Sequence, residues 1–192
     1  MTDAPLHAAV ADGPEGGRAF WLTTADSVRI RAGLWNPKAP QGTVLLLPGR
    51  TEYVEKYGRA ARELATRGYA TLTLDWRGQG LADRPFKDRM TGHVGDFSEF
   101  QSDLDTLVGF ARSKGLPEPY YMMAHSMGGC IGLRAVMQGT PVKAAVFSAP
   151  MWGIAMAAWL RPVASVVSTF AAPLGLVARY APSTSGETYL LQ

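Results

Sequence analysis

The apolar positions of this chain fall into alternation near the start, then into solid blocks, then into helical spacing. Two short alternating runs, Arg18 to Thr24 and Ser27 to Trp35, flank Ala25-Asp26 and predict an antiparallel hairpin. Pro37 to Gly42 is rich in turn formers. Thr43-Val44-Leu45-Leu46-Leu47 is a continuous block ending in Pro48-Gly49, the pattern of a strand buried on both faces in a parallel sheet. Tyr53 to Arg67 carries helix-spaced Tyr57, Ala60, Ala61 and Leu64, with Gly68 as a C-terminal stop. Tyr69 to Leu74 is a second buried strand, running into Asp75-Trp76-Arg77-Gly78-Gln79-Gly80. Phe97 to Lys114 predicts a helix with Leu104, Leu107, Val108 and Ala111 on one face. Tyr120 to Ala124 predicts a strand, Met127 to Gln138 a helix and Val142 to Phe147 a further strand. Repeated strand–helix units predict the α/β class: a doubly wound, mostly parallel sheet with an N-terminal antiparallel hairpin.

The flanks differ from this core of residues 18–149. Residues 1–17 hold acids, prolines and glycines without an apolar segment, and read as a flexible leader, not a signal peptide. Residues 150–192 are apolar and nearly uncharged. From Ala149 to Pro182 the charges are Arg161 and Arg179, among Met151, Trp152, Met156, Trp159, Leu160, Val166, Val167, Phe170, Leu174 and Leu176. Pro162 and Pro173 are expected to break this stretch into short helices, which suits a cap over a site. A membrane span fits less well, because the uncharged run before Arg161 is about 17 residues long and contains Pro150 and Gly153.

Composition narrows the function. With 47% hydrophobic residues among 192, the chain can bury one core of ordinary size. A net charge of +3 with scattered basic residues gives no track for a phosphate backbone, so no nucleic-acid partner is expected. A single cysteine, Cys130, excludes an internal disulfide and reads as a small core residue. The dispersed His7, His93 and His125 offer no metal-ligand spacing, so neither metal nor cofactor is expected. A cytoplasmic protein, or one that visits the inner membrane face through its cap, is the expectation.

The chemistry concentrates where the strand Tyr120 to Ala124 meets the next helix. Ser126 stands at this corner with small residues two positions away, Ala124 before it and Gly128 after it. That is the pattern of a nucleophile elbow, with alanine in place of its first glycine. A large side chain at either flank would strike the strand or the helix. A plain helix N-cap is the other reading of Ser126.

Four stretches, in order, carry a family resemblance: Leu47-Pro48-Gly49-Arg50-Thr51-Glu52, Leu74 to Gly80, Gly92-His93-Val94-Gly95-Asp96-Phe97, and Ala124-His125-Ser126-Met127-Gly128-Gly129. Over residues 18 to 150 the chain resembles α/β hydrolases, and among them lysophospholipase and monoacylglycerol-lipase-like serine hydrolases. Its Pro-Gly-Arg-Thr-Glu form is similar to the bacterial lysophospholipase branch. The resemblance implies Ser126 as nucleophile, with the backbone N–H groups of Arg50 and Met127 as oxyanion donors. It implies a small acyl ester or lysolipid as substrate, and a bracing role for Asp75 and Arg77. His125 adjoins Ser126, but neighbours at a sharp elbow point apart. His93 is expected to be structural or pocket-lining.

The pattern breaks downstream. This fold orders its triad as serine, acid, histidine, yet no histidine follows Ser126 and the one acid after it is Glu187. The sequence therefore reads as an α/β-hydrolase fold truncated in its helical cap, without the triad acid and base. Little esterase activity is expected from the 192 residues alone. A non-catalytic half-fold that binds lipid or a partner is the rival reading, and acyl transfer to an alcohol is a third.

Overall fold

The computed structural model describes residues 2–153 and 159–171. Its strands are β1 (Thr2–Ala4), β2 (Arg18–Thr23), β3 (Arg29–Trp35), β4 (Thr43–Leu47), β5 (Ala70–Asp75), β6 (Tyr120–His125) and β7 (Ala144–Ser148). The helices are α1 (Ala8–Ala11), α2 (Gly58–Thr66), α3 (Glu99–Ser113), α4 (Met127–Met137) and α5 (Leu160–Ala171), with a 3-10 turn at Val54–Tyr57 before α2. One sheet takes the order β1-β2-β3-β5-β4-β6-β7. The pairs β1–β2, β2–β3 and β3–β5 are antiparallel. The pairs β5–β4, β4–β6 and β6–β7 are parallel.

Strand pleating sorts side chains to two faces. Ile30, Ala32, Leu34, Leu45, Leu47, Leu72, Leu74, Tyr120, Met122 and Ala124 join the core formed with α3 and α4. Trp35 packs with Ala11, Val54 and Ala61 in a smaller cluster on the other side. The five residues of β4 and the six of β5 are all buried, as continuous apolar runs demand of central strands.

Three features depart from the sequence expectation. Residues 1–17 read as a flexible leader, yet Thr2–Ala4 pairs with β2 and Ala11 is buried against the Trp35 cluster. Three residues are too few to show a period, so the edge strand left no pattern. Pro162 does not break a helix: it lies in the first turn of α5, where the missing N–H would have had no intrahelical acceptor. The last strand begins at Ala144, not Val142, and alternates between exposed and half-buried positions, with Val146 59% exposed. Val163, Val166, Val167 and Phe170 of α5 are exposed as well. No helix among the described residues is long and apolar enough to cross a membrane. The expectations for Met156, Pro173, Leu174, Leu176, Arg179, Pro182 and Glu187 lie outside the described residues.

On the Trp35 side of β5, the hydroxyls of Thr71 and Thr73 are fully buried without a hydrogen-bond partner. An unpaired hydroxyl in such a place is a net cost. Thr71→Val and Thr73→Val are each expected to raise stability by about 1 kcal/mol, read by urea unfolding. A loss of that size in either would show that the hydroxyl has a partner.

Candidate active site

The elbow forms because β6 passes directly into α4. Ser126 takes φ 50° and ψ −116°, a left-handed conformation rare for a residue with a side chain. Its backbone is fixed from three directions: its N–H donates to Ser148 O at 3.0 Å, and its carbonyl accepts from Gly129 N and Met151 N, each at 2.9 Å. Such a conformation costs on the order of 1–3 kcal/mol and persists only when over-determined. The surrounding residues are small for a measurable reason. A Cβ on Gly128 would lie 2.4 Å from Leu47 O and 2.5 Å from Pro48 O, so the first turn of α4 rests on the end of β4. Ala124 is completely buried.

That contact sets the elbow beside the loop leaving β4, where Leu47 pairs with Ala124. Ser126 and Arg50 thus emerge from neighbouring strands at the same sheet edge. Three neighbours hold the loop. Trp76 Nε1 donates to Pro48 O at 2.9 Å, Glu52 Oε2 accepts from Gly49 N at 2.5 Å, and Asp75 Oδ1 accepts from Val54 N at 2.8 Å. Glu52 is nearly buried and also accepts from Lys56 Nζ and Tyr57 OH. Burial opposes its ionisation, but these donors outweigh it and hold the carboxyl below the ordinary glutamate value. Burial and the neighbouring Glu52 together push the Tyr57 phenol up. The central role of Glu52 was not drawn from the sequence; its place three residues after Gly49, at a sharp turn, was the available signal.

The other sequence candidates take structural places. Asp75 accepts from Arg31 Nε at 2.7 Å and from Val54 N and Leu81 N at 2.8 Å each, which leaves it a brace. Arg77 reaches Asp103, Asp26 and Glu99, with contacts of 2.8–2.9 Å, 2.7–3.1 Å and 2.8 Å respectively. His125 Nδ1 lies 3.1 Å from Ser148 O and its Nε2 3.7 Å from Glu52 Oε1, so the ring is engaged along the sheet edge. His93 packs against Phe86 with the rings tilted and their centroids 5.0 Å apart, and lines a cavity of about 390 Å³ with Arg77, Arg84 and Glu99. Cys130 is half-buried on α4. No group of acids, histidines or cysteines among the described residues is arranged to hold a metal ion.

A mixed sheet whose parallel strands β5, β4, β6 and β7 include one that turns through a strained serine into a helix defines an α/β hydrolase. Residues 38–187 match the family described as serine aminopeptidase, S33, and the chain belongs to that family. It is 33% identical over 137 residues to lysophospholipase L2 of Escherichia coli (strain K12), covering 69% of this chain and 39% of that protein. It is 37% identical over 105 residues to a monoacylglycerol lipase of Mycolicibacterium smegmatis, covering 54% of this chain and 36% of the relative. The chain thus spans well under half the length of the curated relatives it matches. Among solved structures, a soluble variant of monoglyceride lipase from Saccharomyces cerevisiae in complex with a substrate analog superposes with TM-score 0.60 at 22% identity. That match covers 85% of this chain and 55% of the other. A carboxyl esterase from Bacillus coagulans in complex with glycerol gives TM-score 0.67 at 16% identity, over 92% and 62% of the two chains. At these identities the structural matches speak for the fold.

Gly128→Ala forces a methyl group onto two backbone carbonyls that cannot swing aside, and is expected to cost about 1–3 kcal/mol, measured by urea unfolding. A second expectation concerns acid. The Glu52 carboxyl has a folded pKa below its ordinary 4.5. The stability it contributes is therefore complete above 4.5 and is lost as the pH falls through the lower folded value. The stability difference between wild type and Glu52→Gln should shrink below that pH; a constant difference would mean that the charge is not the stabilising feature.

Proposed function

We propose that this chain carries the nucleophilic half of a carboxylic-ester hydrolase acting on lysophospholipids or monoacylglycerols. The observation that carries the proposal is the Ser126 backbone, strained at φ 50° and ψ −116° between β6 and α4. A capping serine needs no such conformation, and Ser126 makes no side-chain cap hydrogen bond. The serine hydroxyl attacks the acyl carbon, its proton passes to a base, and the carbonyl oxygen becomes an oxyanion. The N–H of Met127 receives that charge at the positive end of α4, and the N–H of Arg50 receives it from the loop after β4. Collapse expels the alcohol and leaves an acyl-enzyme, which water then cleaves to the fatty acid. Two oxyanion donors of this kind are each worth about 3 kcal/mol.

The acid and base come from outside the described residues. The substrate class rests on the names of the curated relatives together with the apolar Met151, Trp152 and Trp159 beyond β7. These side chains would meet an acyl chain and could touch a membrane face from the cytoplasm. The exposure of Trp152 and Trp159, at 57% and 70%, also favours a second reading, a lipid-binding half-fold without chemistry.

A protein comprising this chain and any residues that follow Gln192 in its reading frame is expected to hydrolyse a long-chain lysophospholipid or monoglyceride. Ser126→Ala should lower its kcat by about 10⁴-fold or more. The 192-residue chain alone should be slow and label poorly with a fluorophosphonate. Turnover that survives Ser126→Ala removes the nucleophile assignment. Lipid binding without turnover in the longer protein selects the second reading.

A further inference from the structure

Between the two left-handed glycines of Arg77-Gly78-Gln79-Gly80 stands a side chain that the chemistry above leaves unused. Gln79 is 6% exposed, so its amide must find partners inside the protein. Its Oε1 accepts from Thr51 N at 2.6 Å, and its Nε2 approaches Met127 Sδ at 3.9 Å. The orientation of the amide follows from the first contact. A backbone N–H can only donate, so the oxygen faces Thr51 and the nitrogen faces the thioether, a weak acceptor. The loop on either side of it is closely packed. A Cβ on Gly80, at φ 50°, would lie 2.1 Å from the Asp75 carboxyl carbon, and one on Gly78, at φ 75°, would lie 2.7 Å from His93 O.

We propose that Gln79 is a positioning residue that sets the two oxyanion donors, the N–H groups of Arg50 and Met127, in register with each other. The inference rests on the functional reading above for what those donors do. Thr51 has φ 62°, which a β-branched residue keeps only under restraint. Glu52 fixes the peptide that precedes Gly49, and Gln79 fixes the peptide that follows Arg50. The peptide carrying the Arg50 N–H is the one between them, clamped at both ends. The same Gln79 side chain touches the residue whose N–H is the second donor. A neutral amide also suits the place better than a carboxylate. Glutamate could accept from Thr51 equally well, but would set a negative charge beside a developing oxyanion and an oxygen against the sulfur.

The test is amide hydrogen exchange at Thr51 in the 192-residue chain, followed by NMR, with the Val54 and Leu81 amides held by Asp75 as internal controls. Gln79→Leu should speed Thr51 exchange about tenfold or more while the controls hold; Gln79→Glu should keep Thr51 protected. Unchanged exchange in Gln79→Leu overturns the proposal, as does equal acceleration at all three amides. Should Gln79→Leu fail to fold, Gln79→Glu decides alone, since loss of Thr51 protection there also overturns it. In the longer, active protein both variants should lower kcat about tenfold or more with KM unchanged. A KM effect alone overturns the positioning role. If Thr51 behaves as stated and the wild type hydrolyses nothing, it is the functional reading that has failed.

Discussion

The buried Asp75 carboxylate is the point from which the site is hung. It lies fully inside, at the carboxyl end of a central strand, and is tolerated there because Arg31 meets it at 2.7 Å. Arg31 is equally buried and divides its charge between Asp75 and Glu55, with a further contact to Pro5 O. Burial works against the guanidinium charge, yet the two carboxylates more than offset it, whereas burial outweighs the Arg31 contact at Asp75 and pushes its carboxyl up. Such a cluster contributes little net stability compared with apolar packing, but loss of one partner costs about 3–5 kcal/mol. Its contribution is placement. The remaining Asp75 bonds go to Val54 N, beyond the loop leaving β4, and to Leu81 N, beyond the loop leaving β5.

From that anchor the β5 loop holds the β4 loop residue by residue. Asp75 takes Val54 N, Trp76 takes Pro48 O, and Gln79 takes Thr51 N. Arg77 faces the opposite way and ties the base of the loop to α3 through Asp103. The two loops behave as one layer laid against α4, and the close rest of Gly128 on Leu47 and Pro48 closes the third side. An elbow alone would expose a serine. The layer is what gives the serine surroundings of fixed shape.

The fold was legible in the sequence wherever burial was two-sided or periodic. Leu45 to Leu47 and Leu72 to Leu74 could belong only to central strands, and Leu104, Leu107 and Ala111 only to a helix face. Strand β1 was not legible, because three residues at a sheet edge carry no period and its partner lies fifteen or more positions away. The elbow could be read because sterics dictate small residues around Ser126. The roles of Glu52 and Gln79 could not. A polar side chain that holds a loop by its backbone, whether nearby as Glu52 does or from a distant loop as Gln79 does, looks in sequence like any polar residue at a turn. Pro162 misled for a related reason, since a proline signals a break only when its position within the helix is known.

The strained serine also carries a consequence for the order of assembly. The β2–β3 hairpin closes over a few residues and can form within microseconds. The β4–β6 ladder must bring its strands together across the whole of α2, β5 and α3, a slow, non-local step. The Ser126 backbone has one local partner, the Gly129 N–H. Its other partners, Ser148 O and Met151 N, arrive only when β7 pairs with β6, and the helix that follows it is seated on the end of β4 by the β4–β6 step. A nascent chain therefore carries Ser126 in an ordinary backbone conformation until β7 has joined the sheet, and the strained corner is a late product of folding.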